Sequence, residues 1–131
     1  MQNEGRASRI YVVAVGRRVI GYYALANGGV QQNVATRQVP RNMPDPIPVM
    51  ILARLAVDRQ WQGKGVGAGM LKDAALRTVQ ANEIAGIGAL LVHAISDPAK
   101  QFYDKYGFTP SDVEPMTRMI TLSEAKAELG L

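Results

Sequence analysis

The chain has 131 residues, which suits one domain, and its 47% hydrophobic and 20% charged residues mark it as globular rather than disordered. It has no cysteine and one histidine, which excludes disulfides, thiolate metal sites, a cysteine nucleophile and a histidine-rich metal centre, so no metal is expected. The formal net charge of +4 suits a phosphate-bearing partner. No apolar run approaches the ~20 residues of a membrane span, and Met1 to Arg9 lacks a signal-peptide core. A cytoplasmic protein without a membrane partner is the expectation.

Arg9 to Val15 and the run from Val19 to Leu25 are β-branched and apolar around Gly16-Arg17-Arg18, which predicts a hairpin. Gly28-Gly29 predicts a break or bulge. Pro40, Pro44, Pro46 and Pro48 exclude a helix or a central strand over Ala35 to Pro48 and predict a stiff surface loop. Val49 to Val57 reads as a buried strand carrying one charge, Arg54. A glycine-rich turn follows. Val66, Met70, Leu71, Ala74, Ala75 and Val79 then fall at helical spacing, and Ala85-Gly86-Ile87-Gly88 ends that helix. Asp73 and Arg77 form an i,i+4 pair. Ala89 to Ile95 reads as a strand. Asp97 is the candidate N-cap of a second helix with Pro98 in its first turn, and Gly107 suits its C-terminus. Phe108 opens an extended segment, Arg118 to Leu122 reads as a last strand, and a short helix or tail starts at Ser123. The order predicts an α/β (α+β) fold with a mixed sheet in a single domain over residues 1–131.

Strand, glycine turn and helix in succession make an anion site, because the first amides of a helix lack intrahelical partners and glycines let backbone wrap the ligand. Gly63, Gly65, Gly67 and Gly69 sit at alternate positions. Each glycine inside a helix costs about 1 kcal/mol relative to alanine, which a plain turn would not require. A Walker A loop fails, because Lys64 is not followed by Ser or Thr. Gly63, Gly65 and Ala68 satisfy a dinucleotide fingerprint, but no acidic residue ends the next strand at the required distance.

Gln62, Gly65 and Gly67 match a third pattern, Gln/Arg-x-x-Gly-x-Gly/Ala, directly after Leu55-Ala56-Val57-Asp58. Downstream, Ala99-x-x-Phe102-Tyr103-x-x-x-Gly107-Phe108 completes a second motif. On these two motifs the chain resembles the GNAT family of N-acetyltransferases from about Arg9 to Leu122. The resemblance implies a mixed, mostly antiparallel central sheet flanked by helices, with a splayed strand pair at the cofactor site. It implies acetyl transfer from acetyl-coenzyme A (acetyl-CoA) to an amine. Gln62, Gly63, Lys64, Gly65, Val66 and Gly67 would hold the pyrophosphate, Leu55, Ala56 and Val57 the pantetheine arm, and Ala99 and Phe102 would line the cofactor side. Tyr103 would be the general acid, since a neutral phenol can donate a proton to the leaving thiolate.

No general base stands out in the sequence. His93 lies in an apolar strand and reads as a hydrogen-bonded structural histidine; water or backbone would accept the amine's proton. The run Arg41-Asn42-Met43-Pro44-Asp45-Pro46-Ile47-Pro48 resembles the acetyltransferase toxins of type II toxin–antitoxin pairs. That implies aminoacyl-tRNA as acceptor, acetylated on its α-amino group to block translation, and a ribbon-helix-helix antitoxin as partner. Arg41, Arg54, Arg59, Lys72 and Arg77 are then candidate tRNA contacts, with Arg37 and Lys64 beside them. Acetylation of a small or protein amine is the alternative reaction. The family's first strand and first helices have no counterpart before Arg9, so a catalytically impaired form that binds cofactor or antitoxin is the other alternative, and a homodimer is left open.

Overall fold

The computed structural model describes residues 8–36, 39 and 42–131, with 83–85 described by backbone alone. Strand β1 (Arg9–Val15) shows the period-two pattern of a half-covered edge strand: Tyr11 and Val13 pack on the main core, while Ile10 and Val12 are 66% and 60% exposed. A turn at Gly16-Arg17 leads into β2 (Arg18–Val30), antiparallel to β1. The break expected at Gly28-Gly29 does not occur. A Cβ on Gly28 would lie 2.5 Å from Ile51 Cδ1, so glycine there makes room for a side chain of the neighbouring strand.

That neighbour, β3 (Ile47–Val57), starts two residues before the expected Val49 and takes in Pro48, opposite Gly29. The proline has no donor to offer, but its carbonyl accepts the Gly88 N–H at 2.8 Å. Residues 42–46 run as a loop under the sheet, and Met43 packs on a core cluster of Val30, Val39, Ile47, Val49, Ala89, Leu91 and Met119. Gln32 pins the loop, donating from Nε2 to Met43 O and from its backbone to Asp45 Oδ1.

Helix α1 (Val66–Ala85) is capped by Gly86 in the left-handed region. It buries Met70, Leu71, Ala74 and Ala75 as its spacing requires. Thr78 is also fully buried, satisfied by donating to Ala74 O at 2.8 Å. The helix is the crossover to β4 (Ala89–His93), which lies parallel to β3. Helix α2 (Asp97–Lys105) starts one residue earlier than expected. Ser96, not Asp97, is its N-cap: its backbone is extended and its hydroxyl accepts the Ala99 N–H at 3.2 Å, which puts Asp97 inside the first turn. The two-residue β5 (Thr109–Pro110), β6 (Thr117–Thr121) and α3 (Leu122–Leu129) follow, the last with a capping box between Thr121 and Glu124. The sheet order is β1-β2-β3-β4-β6-β5, mixed but antiparallel everywhere except β3–β4. The three helices contribute to the main core, on the face opposite the residue 42–46 loop. No helix among the described residues is long and apolar enough to cross a membrane.

One polar network ties the sheet to α1. The Tyr23 hydroxyl, on a residue 1% exposed, donates to Asp73 Oδ2 and accepts from Arg77 Nε at 3.0 Å. The Arg77 guanidinium also meets Asp73 at 3.1 Å and lies 3.9 Å from the centre of the Tyr11 ring, which stacks on Tyr23. The i,i+4 pair read from the sequence is therefore part of a larger assembly. Tyr23→Phe should lower the free energy of unfolding by about 1–3 kcal/mol in urea melts, since a buried bond to a charged group is lost; an unchanged midpoint would show the network to be ornamental.

Candidate active site

Strands β3 and β4 pair over only four residues, Val49↔Ala89 to Leu52↔Val92. Beyond them β4 ends and β3 continues to Val57, so the backbone of Ala53 to Val57 faces away from β2 without a β4 partner. The divergence begins at a bulge. Ala24 pairs with Arg54 but Leu25 with Leu52, leaving Ala53 as an extra residue. The bulge reverses the alternation: Met50 and Leu52 face the main core before it, Leu55 and Val57 after it. Arg54 is thereby turned out rather than buried.

Two cavities open at this gap. The first, about 680 Å³, lies between the end of β3, the glycine loop and α2. Gln62, Gly63, Gly65 and Gly67 line it on one side, Leu55 and Val57 on another, and Ala99, Phe102 and Tyr106 on a third. The second, about 410 Å³, shares Leu55 and Ala99 with the first. It adds Tyr22, Arg54, Ala56, His93 and Tyr103. Together they lead from the helix face of the sheet through the splay toward the opposite face.

The loop is anchored at both ends. The Asp58 N–H donates to Ile20 O at 2.7 Å, and its carboxylate accepts from the Gln60 N–H and from Arg18. Those bonds, the backbone one foremost, hold the Asp58 carboxyl below the usual aspartate range. Gln62 Nε2 donates to Val57 O at 3.1 Å, closing the loop onto the strand it leaves. Gly63 and Gly65 have φ of +77° and +85°, a region an L side chain adopts only under strain. The first amide to bond back into α1 is that of Gly69, to Gly65 O at 3.0 Å. The amides of Val66, Gly67 and Ala68 precede it and have no intrahelical acceptor. A Cβ at Gly63 or Gly65 would meet nothing within 4 Å, so the cradle is open where an anion would sit. The residues present fit a pyrophosphate.

In the second cavity Tyr103 is 7% exposed and packs edge-on to Phe102 and against Phe108. Burial pushes its hydroxyl up to about 12, so it is a neutral donor at physiological pH. Arg118, nearly buried on β6, holds α2 from behind: Nε donates to Asp104 Oδ1 at 2.8 Å and a terminal nitrogen to Pro115 O at 2.6 Å.

The structure brings most of the sequence-derived site residues together. Leu55, Val57, Gln62, Gly63, Gly65, Gly67, Ala99 and Phe102 line the first cavity, and Ala56, Arg54 and Tyr103 the second. Val66 turns its side chain to the main core and contributes its backbone. Lys64 is exposed and stands 5.5 Å over the Trp61 ring. Arg59 and Lys72 are exposed and line neither cavity. Arg77 belongs to the Tyr11–Tyr23–Asp73 network instead of the cleft. Arg37 and Arg41 lie outside the described residues. Trp61, Ala68, Pro98, Lys105 and Tyr106 also line the first cavity and were not among the residues singled out from the sequence as its lining. Tyr106 was detectable at i+4 from Phe102, on the same helix face. His93 is hydrogen-bonded as expected, and it is exposed, on the wall of the second cavity. No group of three or more acidic, histidine or cysteine residues suited to a metal occurs among the described residues.

A family model described as "Acetyltransferase (GNAT) domain" matches residues 6–110. The chain is 46% identical over 123 residues to the tRNA-acetylating toxin of Mycobacterium tuberculosis (strain ATCC 25618 / H37Rv), covering 94% of this chain and 74% of the relative. Among solved structures it resembles AtaT complexed with acetyl-methionyl-tRNAfMet, at TM-score 0.80 and 26% identity over 92% of this chain and 74% of the other. It also resembles a tyrosine-to-phenylalanine mutant of the AtaT toxin bound to the C-terminus of the antitoxin AtaR and acetyl-CoA, at TM-score 0.76 and 27% identity over 95% and 73%. Gly65→Glu, which adds bulk at positive φ and a negative charge at the cradle, should weaken coenzyme A binding at least about tenfold by calorimetry, equivalent to about 1.4 kcal/mol; unchanged affinity would remove the loop from the ligand site.

Proposed function

This chain belongs to the GNAT acetyltransferase family, and from that membership we propose that it is a toxin that acetylates the α-amino group of aminoacyl-tRNA. The observation that carries this reading is the pair of joined cavities: an anion cradle at a helix N-terminus leads to a splay in the sheet, where a buried neutral phenol waits. Bound in the first cavity, acetyl-CoA supplies a thioester carbonyl open to attack by an amine. The loop from Gln62 to Gly67 and the first amides of α1 hold its pyrophosphate. The unpaired backbone of Leu55 to Val57 holds the pantetheine amides as a neighbouring strand would. Amides at the splay would stabilise the negative charge that grows on the carbonyl oxygen, the point at which fixed dipoles lower the barrier most. Tyr103 donates its proton to the departing sulfur. Arg54, turned out by the bulge onto the second cavity, receives the phosphates near the acceptor end of the tRNA.

The 46% identity to a tRNA-acetylating toxin supports aminoacyl-tRNA over a small amine, and the AtaT complexes support an antitoxin as the protein partner. Such a substrate implies action in the cytoplasm. The deciding assay compares acetyl transfer to a panel of aminoacyl-tRNAs with transfer to free amino acids and peptides. Activity on charged tRNA is expected, and activity on free amines alone would overturn the reading. In the same assay Tyr103→Phe should lower turnover by about a hundredfold or more while coenzyme A affinity is kept; full turnover would dismiss Tyr103 as the acid.

A further inference from the structure

His93 ends β4 directly opposite Thr117 of β6, so the two side chains share one face of the sheet. Its Nδ1 lies 2.9 Å from Thr117 Oγ1. The Thr117 hydroxyl in turn donates to Glu114 Oε1 at 3.2 Å, and the Thr117 N–H donates to Glu114 O at 2.9 Å. A threonine hydroxyl has one proton, and the Glu114 carboxylate takes it. Nδ1 must therefore be the N–H that donates to Thr117, which leaves Nε2 as the lone-pair nitrogen. Thr117 is 1% exposed, so its arrangement is held by packing as well as by bonds. The histidine ring itself is exposed and forms part of the wall of the cavity that contains Tyr103, Arg54 and Tyr22.

We propose that His93 is the general base of this enzyme, oriented by Thr117 and Glu114, and that it takes the proton of the acceptor's ammonium group through Nε2. The proposal rests on the acetyl-transfer reading above. The proton balance is complete without a further reactant. The ammonium gives one proton to Nε2, and the exposed imidazolium later releases it to solvent. The amine nitrogen then forms its bond to the carbonyl carbon, and the carbon–sulfur bond breaks. Tyr103 gives its hydroxyl proton to the leaving sulfur and is restored by the second proton that the nitrogen sheds on becoming an amide. His93 and Tyr103 thus serve opposite ends of the exchange from one cavity. Thr117 and Glu114 are positioning residues, since they reach the substrate only through the ring.

The test uses the whole chain with acetyl-CoA and a reactive aminoacyl-tRNA, comparing wild type, His93→Gln and Thr117→Val across pH 6–9. His93→Gln should lower kcat at neutral pH by about a hundredfold, in the range of general-base catalysis, with coenzyme A affinity and the melting temperature near wild type. The deficit should shrink as pH rises, because the amine then sheds its own proton. The other groups facing the ring's cavity are Tyr22, Tyr103 and Arg54, with Glu114 behind Thr117; all are present in the variant, so the change in profile belongs to the imidazole. Thr117→Val, which keeps the ring but removes its partner, should fall between the two and displace the pH profile. A His93→Gln enzyme with wild-type kcat and pH profile overturns the proposal while leaving acetyl transfer intact. A wild type that acetylates no aminoacyl-tRNA overturns the parent reading instead, and the proposal with it.

Discussion

The cleft between the end of β3 and α2 depends on an interrupted strand pairing. Backbone amides and carbonyls demand partners, and a sheet normally supplies them from the next strand. Here β3 is paired on both sides up to Leu52, and past the Ala53 bulge it is paired by β2 alone. The free side of Ala53 to Val57 is a short strand edge inside the molecule, bounded by the glycine loop and α2. An edge in the open invites other chains; an edge at the bottom of a cleft selects a ligand with amides of its own. The bulge also keeps the flanking side chains on useful faces. Without the extra residue, Arg54 would point into the helix-side core, and Leu55 would leave it.

The rest of the molecule keeps that gap at a fixed width. Gln62 and Asp58 clamp the loop to the end of β3 and to β2. The Tyr23–Asp73–Arg77 assembly fixes α1 to the sheet about two to three turns beyond the loop, so the helix's first amides cannot drift from the strand they face. On the other wall, Ser96 caps α2 and Arg118 grips Asp104. None of these groups needs to touch a substrate. Each removes a freedom that would let the two halves of the cleft move apart, and a displacement of about 1 Å is enough to cost a hundredfold in rate.

Much of this was legible in the chain because local chemistry decided it. The spacing of Met70, Leu71, Ala74 and Ala75 fixed the buried face of α1, and glycines at Gly63 and Gly65 marked a backbone in a conformation other residues avoid. Leu55 to Val57 and Ala99 to Tyr103 were placed on the cleft by two motifs. What stayed hidden required tertiary information. Gly28 looked like a chain breaker, because its reason is the Ile51 side chain on another strand. Arg77 reads as paired with Asp73 and as a candidate tRNA contact, because its further partners Tyr11 and Tyr23 lie far away in sequence. His93 reads as a hydrogen-bonded structural histidine, but an apolar pattern gives no sign that its strand stops at the wall of a cavity or that Thr117 is its partner.

The β6 strand has a meaning in time as well as in space. Every residue that lines the two cavities lies between Tyr22 and Tyr106. Those that steady it from behind, Glu114, Thr117 and Arg118, come after them. A chain emerging from the ribosome therefore displays its whole ligand-binding surface before it owns the strand that aligns it. Until β6 docks, β4 has a bare edge, the His93 ring has no fixed tautomer and α2 has no buried arginine to hold it. The strand that steadies the cleft is thus made only after the residues that line it.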